Sequence, residues 1–316
     1  MRQWAAYQMK RVLGRVYSIG IYAGSSPLEL RASGGVGNPI LTRNSMPGLL
    51  ATFVADPFMI PVDGTWFMFF ELMNWRPGCR KGEIALATSR DARTWKYEGI
   101  VLAEPFHLSY PYVFEWNSEY YMVPESSAAG SVRLYRAKPF PNRWVLDTIL
   151  LRGPVHFDNC LFHRSGRWWM LTETDEQLGT LSLFHAPELA GPWTEHPRSP
   201  VVRSDLRIAR PAGRVVSVSD RLIRFAQDCR SQYGASVSAV EITRLTTTEY
   251  EETEIGGNPV LAGSGQGWNQ LGMHHVDPHR LEDGSWIACV DGWSNHVRRP
   301  REIIRWAADR FYESAP

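Results

Sequence analysis

The 316-residue sequence contains no apolar run that approaches the ~18 residues of a membrane-spanning helix, so we predict no membrane span. Its N-terminal segment carries basic side chains without an uninterrupted apolar core or a small-residue cleavage site. We therefore predict no secretory signal and a cytoplasmic location. The four cysteines lie far apart and form no CxxC pair, which argues against a zinc site and a disulfide framework.

An excess of one charge is also missing. Lys and Arg number 34 against 33 Asp and Glu, a formal net charge of +1, so neither nucleic acid nor an anionic membrane surface is expected as a partner. Apolar residues (44%) outweigh charged ones (21%), which predicts a folded chain with a large core. Aromatic residues make up 12%, including 13 Trp, and such side chains serve both core packing and sugar binding.

An internal repeat organises the chain. Each copy is an apolar run, a polar turn and a second apolar run rich in aromatics, which predicts a β-hairpin. Three copies align without gaps: DPFMIPVDGTWFMFFE (56–71), YPYVFEWNSEYYMVPE (110–125) and DNCLFHRSGRWWMLTE (158–173). Two looser copies are RPAGRVVSVSDRLIRFAQ (210–227) and VDPHRLEDGSWIACVD (276–291). A period of about 50 residues is typical of a four-stranded propeller blade.

The segments between the hairpins repeat as well and predict the outer strands of four blades. The fifth hairpin has no such segment after it, whereas residues 17–30 and 38–42 have the pattern of two outer strands. Strands from the N-terminus would therefore close the ring and cover an open sheet edge. We predict that residues 1–316 form a single all-β domain, a five-bladed β-propeller, with a short helix at the C-terminus.

The repeat also predicts a site. The first residue of an inner strand and the last residue of its antiparallel neighbour lie at the same end of the channel. Those positions are Asp56, Glu71, Tyr110, Glu125, Asp158, Glu173, Arg210, Gln227, His275, Asp277 and Asp291. Crowded carboxylates repel one another, so the set as a whole indicates function, although any single acid could instead bond a neighbouring blade.

Carboxylates around an aromatic-lined mouth suit cleavage of a glycosidic bond, which needs one protonated acid and one carboxylate as base or nucleophile. Next to the fourth hairpin, Asp228, Arg230 and Tyr233 are further candidates for substrate binding. Arg210 and Arg230 could bind an anionic group on the ligand or pair with the acids of the rim.

Six segments in order carry a resemblance to known families: FVADPFMI (53–60), HLSYPYVFE (107–115), YMVPES (121–126), RPAG (210–213), AQDCRSQYG (226–234) and GMHHVDPH (272–279). With them the chain resembles the propellers of glycoside hydrolase families 43 and 32. It is more closely similar to the N-terminal domain of plant glucosamine inositolphosphorylceramide transferases and their bacterial relatives. The resemblance extends from about Ser18 to Trp293.

The resemblance implies that Asp56 acts as base or nucleophile and that Asp158 orients the general acid. The acid of the hydrolases is a Glu in an E-G-P or E-C setting, which this sequence lacks. We rank Glu125 first as the acid, Glu173 second and Glu71 third, because Glu71 could pair with Arg76 or Arg80. Arg210 is expected to keep Asp56 ionised.

The resemblance also implies that a His opening the last blade helps to bind a cation on the channel axis, and His274 or His275 follows Gly272 at that place. Calcium would bind one imidazole only through water, and a His that bonds an acid is the alternative. No cofactor is required. The predicted function is a glycosidase with a carbohydrate substrate. The alternative is a non-catalytic module that presents a glycan or glycolipid headgroup to a partner glycosyltransferase.

Overall fold

The computed structural model describes residues 13–76, 79–153 and 155–297. These residues form five antiparallel sheets arranged as the blades of a propeller, which confirms the predicted fold class. The predicted C-terminal helix lies outside the described residues. No helix in the described part of the chain is long and apolar enough to cross a membrane.

The strands follow the repeat closely. Residues 13–32 contribute β1 (Leu13–Gly24) and β2 (Arg31–Ala32). Blade 1 contains β3 (Ala51–Val62), β4 (Thr65–Arg76), β5 (Cys79–Ser89) and β6 (Lys96–Leu102). Blade 2 contains β7 (Ser109–Trp116), β8 (Glu119–Glu125), β9 (Ser131–Ala137) and β10 (Trp144–Arg152). Blade 3 contains β11 (Phe157–Arg164), β12 (Arg167–Asp175), β13 (Thr180–Ala186) and β14 (Thr194–Glu195).

The inner strand of blade 4 is divided in two. The blade contains β15 (Arg210–Pro211), β16 (Val216–Val218), β17 (Arg221–Asp228), β18 (Ser236–Leu245), β19 (Tyr250–Glu254) and β20 (Leu261–Ala262). Blade 5 begins with β21 (Gly272–Arg280) and β22 (Trp286–Val297). Short 3-10 turns lie at Arg43–Ser45, Ser127–Ala129 and Gly267–Asn269.

The inner hairpins of the first three blades turn over two residues in the left-handed region. The φ angles are 48° and 70° at Asp63-Gly64, 52° and 61° at Asn117-Ser118, and 53° and 72° at Ser165-Gly166. Asn, Asp and Gly tolerate these angles, and such turns match the twist of the flanking strands. Turn chemistry that is legible in the sequence therefore sets the register of these hairpins.

The N-terminal strands close the ring as predicted. β1 pairs with β22 along its whole length, from Leu13–Val297 to Gly24–Trp286, and β2 pairs with the end of β1. The order across blade 5 is β21-β22-β1-β2. A single bridge joins Ile19 to Leu41, which brings the predicted 38–42 segment to the same sheet.

The fifth hairpin differs in length from the others. β21 and β22 are joined by five residues, from the Arg280–Trp286 pair, whereas β3 and β4 pair up to Val62–Thr65. The extra turn residues shift the register relative to the sequence alignment. In blade 5 the first residue pair after the break in register is His275 and Asp291. In blade 1 the corresponding pair is Phe58 and Phe69.

The core lies between neighbouring blades. Phe69 of blade 1 meets Trp144 of blade 2 with ring centroids 5.4 Å apart, and Phe114 of blade 2 meets Trp168 of blade 3 at the same distance. These aromatic side chains are thus used for packing between blades.

Candidate active site at the channel mouth

Three inner strands carry the same irregularity at the mouth. β3, β7 and β11 each shift register by a bulge, and within it Asp56, Tyr110 and Asp158 have φ angles of 51°, 45° and 50°. A non-glycine residue in this region costs about 1–3 kcal/mol and persists only where its surroundings impose it. A glutamate pairs with the residue just before each bulge: Glu71, Glu125 and Glu173. The repeat therefore places Asp or Tyr and Glu at equivalent positions of three blades.

Asp158 and Glu173 share one arginine. Arg210 Nε donates to Asp158 Oδ2 at 2.6 Å and Arg210 Nη1 to Glu173 Oε2 at 3.0 Å, while Gln227 Nε2 donates to Asp158 Oδ2 at 2.9 Å. All four residues are buried. Burial raises the pKa of Asp158 against the effect of Arg210, and in the same way burial raises the pKa of Glu173 to about 7.

Asp56 lies in a second group with His274 and Asp291. His274 Nδ1 is 2.5 Å from Asp291 Oδ1, and its Nε2 is 3.5 Å from Asp56 Oδ1. Asp291 Oδ2 accepts from the Asp56 amide at 2.9 Å. Burial raises the pKa of Asp56 to about 7, with His274 opposing. Burial opposes charge on His274 and Asp291, but their mutual attraction raises the pKa of the ring and lowers that of Asp291.

This second group differs from the expectation for Asp56. Arg210 forms its ion pairs with Asp158 and Glu173, and the cation nearest to Asp56 is His274. Both cations oppose the raised pKa of Asp56, His274 more strongly than Arg210. The reason is that Arg210 opens blade 4 and so reaches the neighbouring blade 3, whereas Asp56 in blade 1 faces blade 5 across the ring closure.

Within the described part of the chain, the same three residues form the one cluster that could hold a metal ion. Asp56, His274 and Asp291 offer one ligand atom each within 4.8 Å of one another. However, His274 and Asp291 already form a short ion pair, and calcium takes six to eight oxygen ligands. The arrangement fits a hydrogen-bonded ion pair better than a calcium site.

Among the side chains that the structure describes, Glu71 contacts a histidine but no arginine or lysine. Its Oε1 lies 3.5 Å from Nε2 of His107, whose Nδ1 accepts from the Gly82 amide at 2.8 Å. Burial lowers the pKa of His107, so this ring is neutral near pH 7. Burial raises the pKa of Glu71 well above its usual value, and Asp56, Glu125 and Asp158 add to the effect. Glu71 is therefore the acid at this mouth that most readily stays protonated.

Both carboxylate oxygens of Glu125 accept hydrogen bonds. Its Oε2 accepts from the Ser109 hydroxyl at 2.8 Å and its Oε1 from the Ser127 amide at 2.6 Å. Both carboxylate oxygens thus serve the connection between β8 and the turn that follows it. This geometry occupies both oxygens of Glu125 with hydrogen bonds inside its own blade.

The remaining predicted residues fall into two sets. Tyr233 lies at the mouth, 38% exposed, with the Arg210 guanidinium 5.0 Å from its ring centre and the His274 ring 5.4 Å away. Asp228 pairs with Arg230 at 2.7 Å, so neither Arg230 nor Arg210 is left without an acid. Tyr110 spans the channel, its hydroxyl accepting from the Gly213 amide at 2.7 Å.

Asp277 and His275 lie apart from the carboxylates of the mouth. Asp277 is bonded by Arg214, His279 and the Met59 amide. Because the fifth turn is longer, Asp277 sits further along the channel than the alignment predicts. His275 is fully buried between Phe58 and Tyr110, at 4.6 and 5.3 Å, and burial lowers its pKa to about 4. It stays neutral and packs as an aromatic ring.

Sequence reasoning missed two residues of the site. His107 was part of a segment used for the resemblance but was not singled out, and Arg15 on β1 was not considered. Neither belongs to a repeated position, so only the folded ring brings them to the mouth.

Fold and site together define a five-bladed propeller with a buried carboxylate cluster at one end of its channel. The family model described as "Glucosamine inositolphosphorylceramide transferase 1, N-terminal" matches residues 14–293, and the chain belongs to this family. Glucosamine inositolphosphorylceramide transferase 1 of Oryza sativa subsp. japonica is 37% identical over 298 residues, covering 87% of this chain and 40% of the relative. The Arabidopsis thaliana protein of the same name is 34% identical, with 87% and 39% covered. The chain thus spans about two fifths of the length of these relatives.

Solved structures share the fold at low identity. β-1,2-Mannobiose phosphorylase from Listeria innocua has a TM-score of 0.61 and 12% identity, covering 90% of this chain and 98% of that one. A family 117 glycoside hydrolase from Zobellia galactanivorans has a TM-score of 0.53 and 16% identity, covering 95% and 98%. At such identities the likeness shows the fold alone.

Proposed function

We propose that this domain binds a carbohydrate at the channel mouth and cleaves a glycosidic bond there. The observation that carries the proposal is the strained, left-handed backbone of Asp56 and Asp158 at equivalent bulges, each beside a buried glutamate. Backbone strain and buried, mutually repelling carboxylates both cost stability, and functional sites are where such costs are retained.

In this proposal Glu71 is the general acid and Asp56 the base or nucleophile. Glu71 gives its proton to the leaving oxygen as the bond between that oxygen and the anomeric carbon breaks. Asp56 either attacks the anomeric carbon or takes a proton from the attacking water. Asp158, held by Arg210 and Gln227, faces the positive charge that develops on the sugar ring. Glu173 is the second candidate for the acid, since its pKa is also raised to about 7.

A second function is supported by the length of the relatives. This chain matches only 40% of proteins named as transferases, which is compatible with a domain that binds a glycan or glycolipid headgroup for a partner glycosyltransferase without cleaving it. A propeller fold does not decide between the two roles, because such folds serve both.

The test is a screen of aryl glycosides and oligosaccharides, comparing the wild-type protein with Asp56→Asn and Glu71→Gln. We expect each substitution to lower kcat by at least ~10²-fold, the lower range for a positioned proton-transfer group, with binding retained. Glu115→Gln, which changes an exposed carboxylate of β7, is the matched control and should keep wild-type turnover.

The pattern of losses distinguishes the alternatives. If kcat falls in Glu173→Gln but not in Glu71→Gln, the general acid is Glu173 of blade 3. Binding of several glycans without turnover of any would contradict the hydrolase and support the non-catalytic module.

A further inference from the structure

Among the residues that the structure describes, Arg15 at the mouth has no acid to pair with. Arg210 bonds Asp158 and Glu173, His274 bonds Asp291, and Arg230 bonds Asp228. Arg15 is exposed and, within the described ranges, forms no ion pair. Its guanidinium lies 4.3 Å from the centre of the Trp293 ring, and its Nη1 donates to the Tyr233 carbonyl at 3.4 Å.

Two series of contacts connect Arg15 to the proposed reacting groups, one through Trp293 and Tyr17 and the other through Tyr233. The Trp293 ring that Arg15 covers lies 6.2 Å from the ring of Tyr17, and Tyr17 lies 4.8 Å from His274. His274 in turn is 3.5 Å from the Asp56 carboxylate. Tyr233, which accepts the hydrogen bond from Arg15, also contacts the His274 ring. Arg15 therefore stands at the edge of the same mouth.

The way Arg15 is held leaves its charge available. Contact with an indole ring positions a guanidinium without neutralising it, and the remaining N–H groups match the oxygens of a carboxylate or phosphate. Beside it lies the buried hydroxyl of Tyr17. Burial raises the pKa of Tyr17 while Arg15 opposes the shift, which places the two polar groups in one electrostatic environment.

A mouth lined by carboxylates would repel an anionic ligand unless a cation met its charge. We propose that Arg15 selects a glycan that carries a carboxylate or phosphate and binds that group at the edge of the mouth, with Tyr233 against the sugar. This inference deepens the proposed function by naming its ligand class, and it rests on that function only in placing a sugar at this mouth.

The test compares matched ligands that differ in charge: phenyl glucuronides, galacturonides and mannuronides, each anomer paired with its neutral phenyl glycoside, titrated by calorimetry at low ionic strength. We expect the wild-type protein to bind at least one uronide ten-fold or more tightly than its neutral partner. Arg15→Gln should bring the ratio of the two dissociation constants, neutral ligand over uronide, close to one. Arg15→Lys should retain part of the preference for the uronide. The 6-phosphates of the same phenyl glycosides then show whether phosphate is preferred to carboxylate.

Arg31→Gln is the control, because Arg31 is an exposed arginine of the same blade that also donates to a single backbone carbonyl, that of Leu30. The preference of Arg31→Gln for the anionic ligand over its neutral partner should equal that of the wild type. The proposal is overturned if no anionic ligand is preferred, or if the preference survives in Arg15→Gln. A preference without any turnover would contradict only the hydrolase, whereas turnover that is insensitive to ligand charge and to Arg15 would contradict only this inference.

Discussion

The buried carboxyls at the channel mouth differ chiefly in the cation that each one contacts. Asp158 and Glu173 share Arg210, Asp291 has His274, and Glu71 faces the neutral ring of His107 among the described side chains. Because burial alone disfavours every charged carboxylate, these partners decide which acids ionise. The raised pKa of Glu71 and the lowered pKa of Asp291 are two outcomes of the same low-dielectric surroundings.

Glu173 allows a test of this balance through stability. Its pKa of about 7 in the folded protein exceeds the ~4.3 of an unfolded chain, so the native state retains a proton that the unfolded state has lost. Stability is therefore unaffected by this group at low pH and falls as the pH rises through the window between these values. Glu173→Gln removes the titration. Relative to wild type, the variant should gain about 1–3 kcal/mol in the free energy of unfolding between pH 5 and pH 8.

Chemical denaturation at several pH values measures that gain. Glu282→Gln, an exposed acid in the turn between β21 and β22, serves as the control and should show no comparable trend. A difference between Glu173→Gln and wild type that stays constant with pH would contradict the buried, protonatable state of Glu173.

At the scale of elements, closure depends on β1. This strand pairs with β22 along twelve positions and carries β2 on its other edge. It buries Ile19 and Ile21 in the core, and it also carries Tyr17 and Arg15 to the mouth. The same N-terminal strand thus closes the ring and supplies side chains to the candidate site.

Deletion of residues 1–45 should abolish cooperative unfolding, because β22 would then expose a long unpaired edge and the core would lose two buried isoleucines. Thermal unfolding followed by circular dichroism measures this. A variant that lacks only residues 1–12 retains β1 and is expected to unfold like the parent. A sharp transition at the parental temperature in the longer deletion would show that the ring does not need this strand.

At the scale of the whole molecule, one arginine connects four blades across the channel. Arg214 of blade 4 pairs with Asp277 of blade 5, and its Nη2 donates to the carbonyls of Met59 in blade 1 and Val113 in blade 2, at 3.4 and 3.3 Å. Its guanidinium also lies over Tyr112 and Phe58 at 5.3 and 5.8 Å.

Arg214→Met should destabilise the protein by about 3 kcal/mol or more, since it takes the guanidinium away from the fully buried Asp277, which then keeps bonds to the His279 ring and the Met59 amide. Arg221→Met removes an exposed pair with Glu241 inside blade 4 and should change the free energy of unfolding by less than ~1 kcal/mol. Urea denaturation of both variants measures the contrast. Equal stabilities would mean that the channel arginine contributes no more than a surface ion pair.

The sequence by itself determined the number of blades, the turns of three hairpins, the closure by N-terminal strands, and the position of Asp56, Glu71, Asp158 and Glu173 at one mouth. These features follow from local physics: a two-residue alternation, turn residues that tolerate positive φ, and a period of about 50 residues. The catalytic and binding roles of those residues stay predictions.

Only the tertiary structure decided which groups meet. Arg210 reaches blade 3 rather than Asp56, His107 faces Glu71, Arg15 arrives at the mouth, and Asp277 lies deeper in the channel. Contacts between blades depend on the ring and on turn length, and three extra residues in one hairpin are enough to move an aspartate along the channel. Residue spacing within a repeat carries no information about these distances, because they arise between chain segments that lie far apart in the sequence, such as Asp56 and Asp291, which are 235 positions apart.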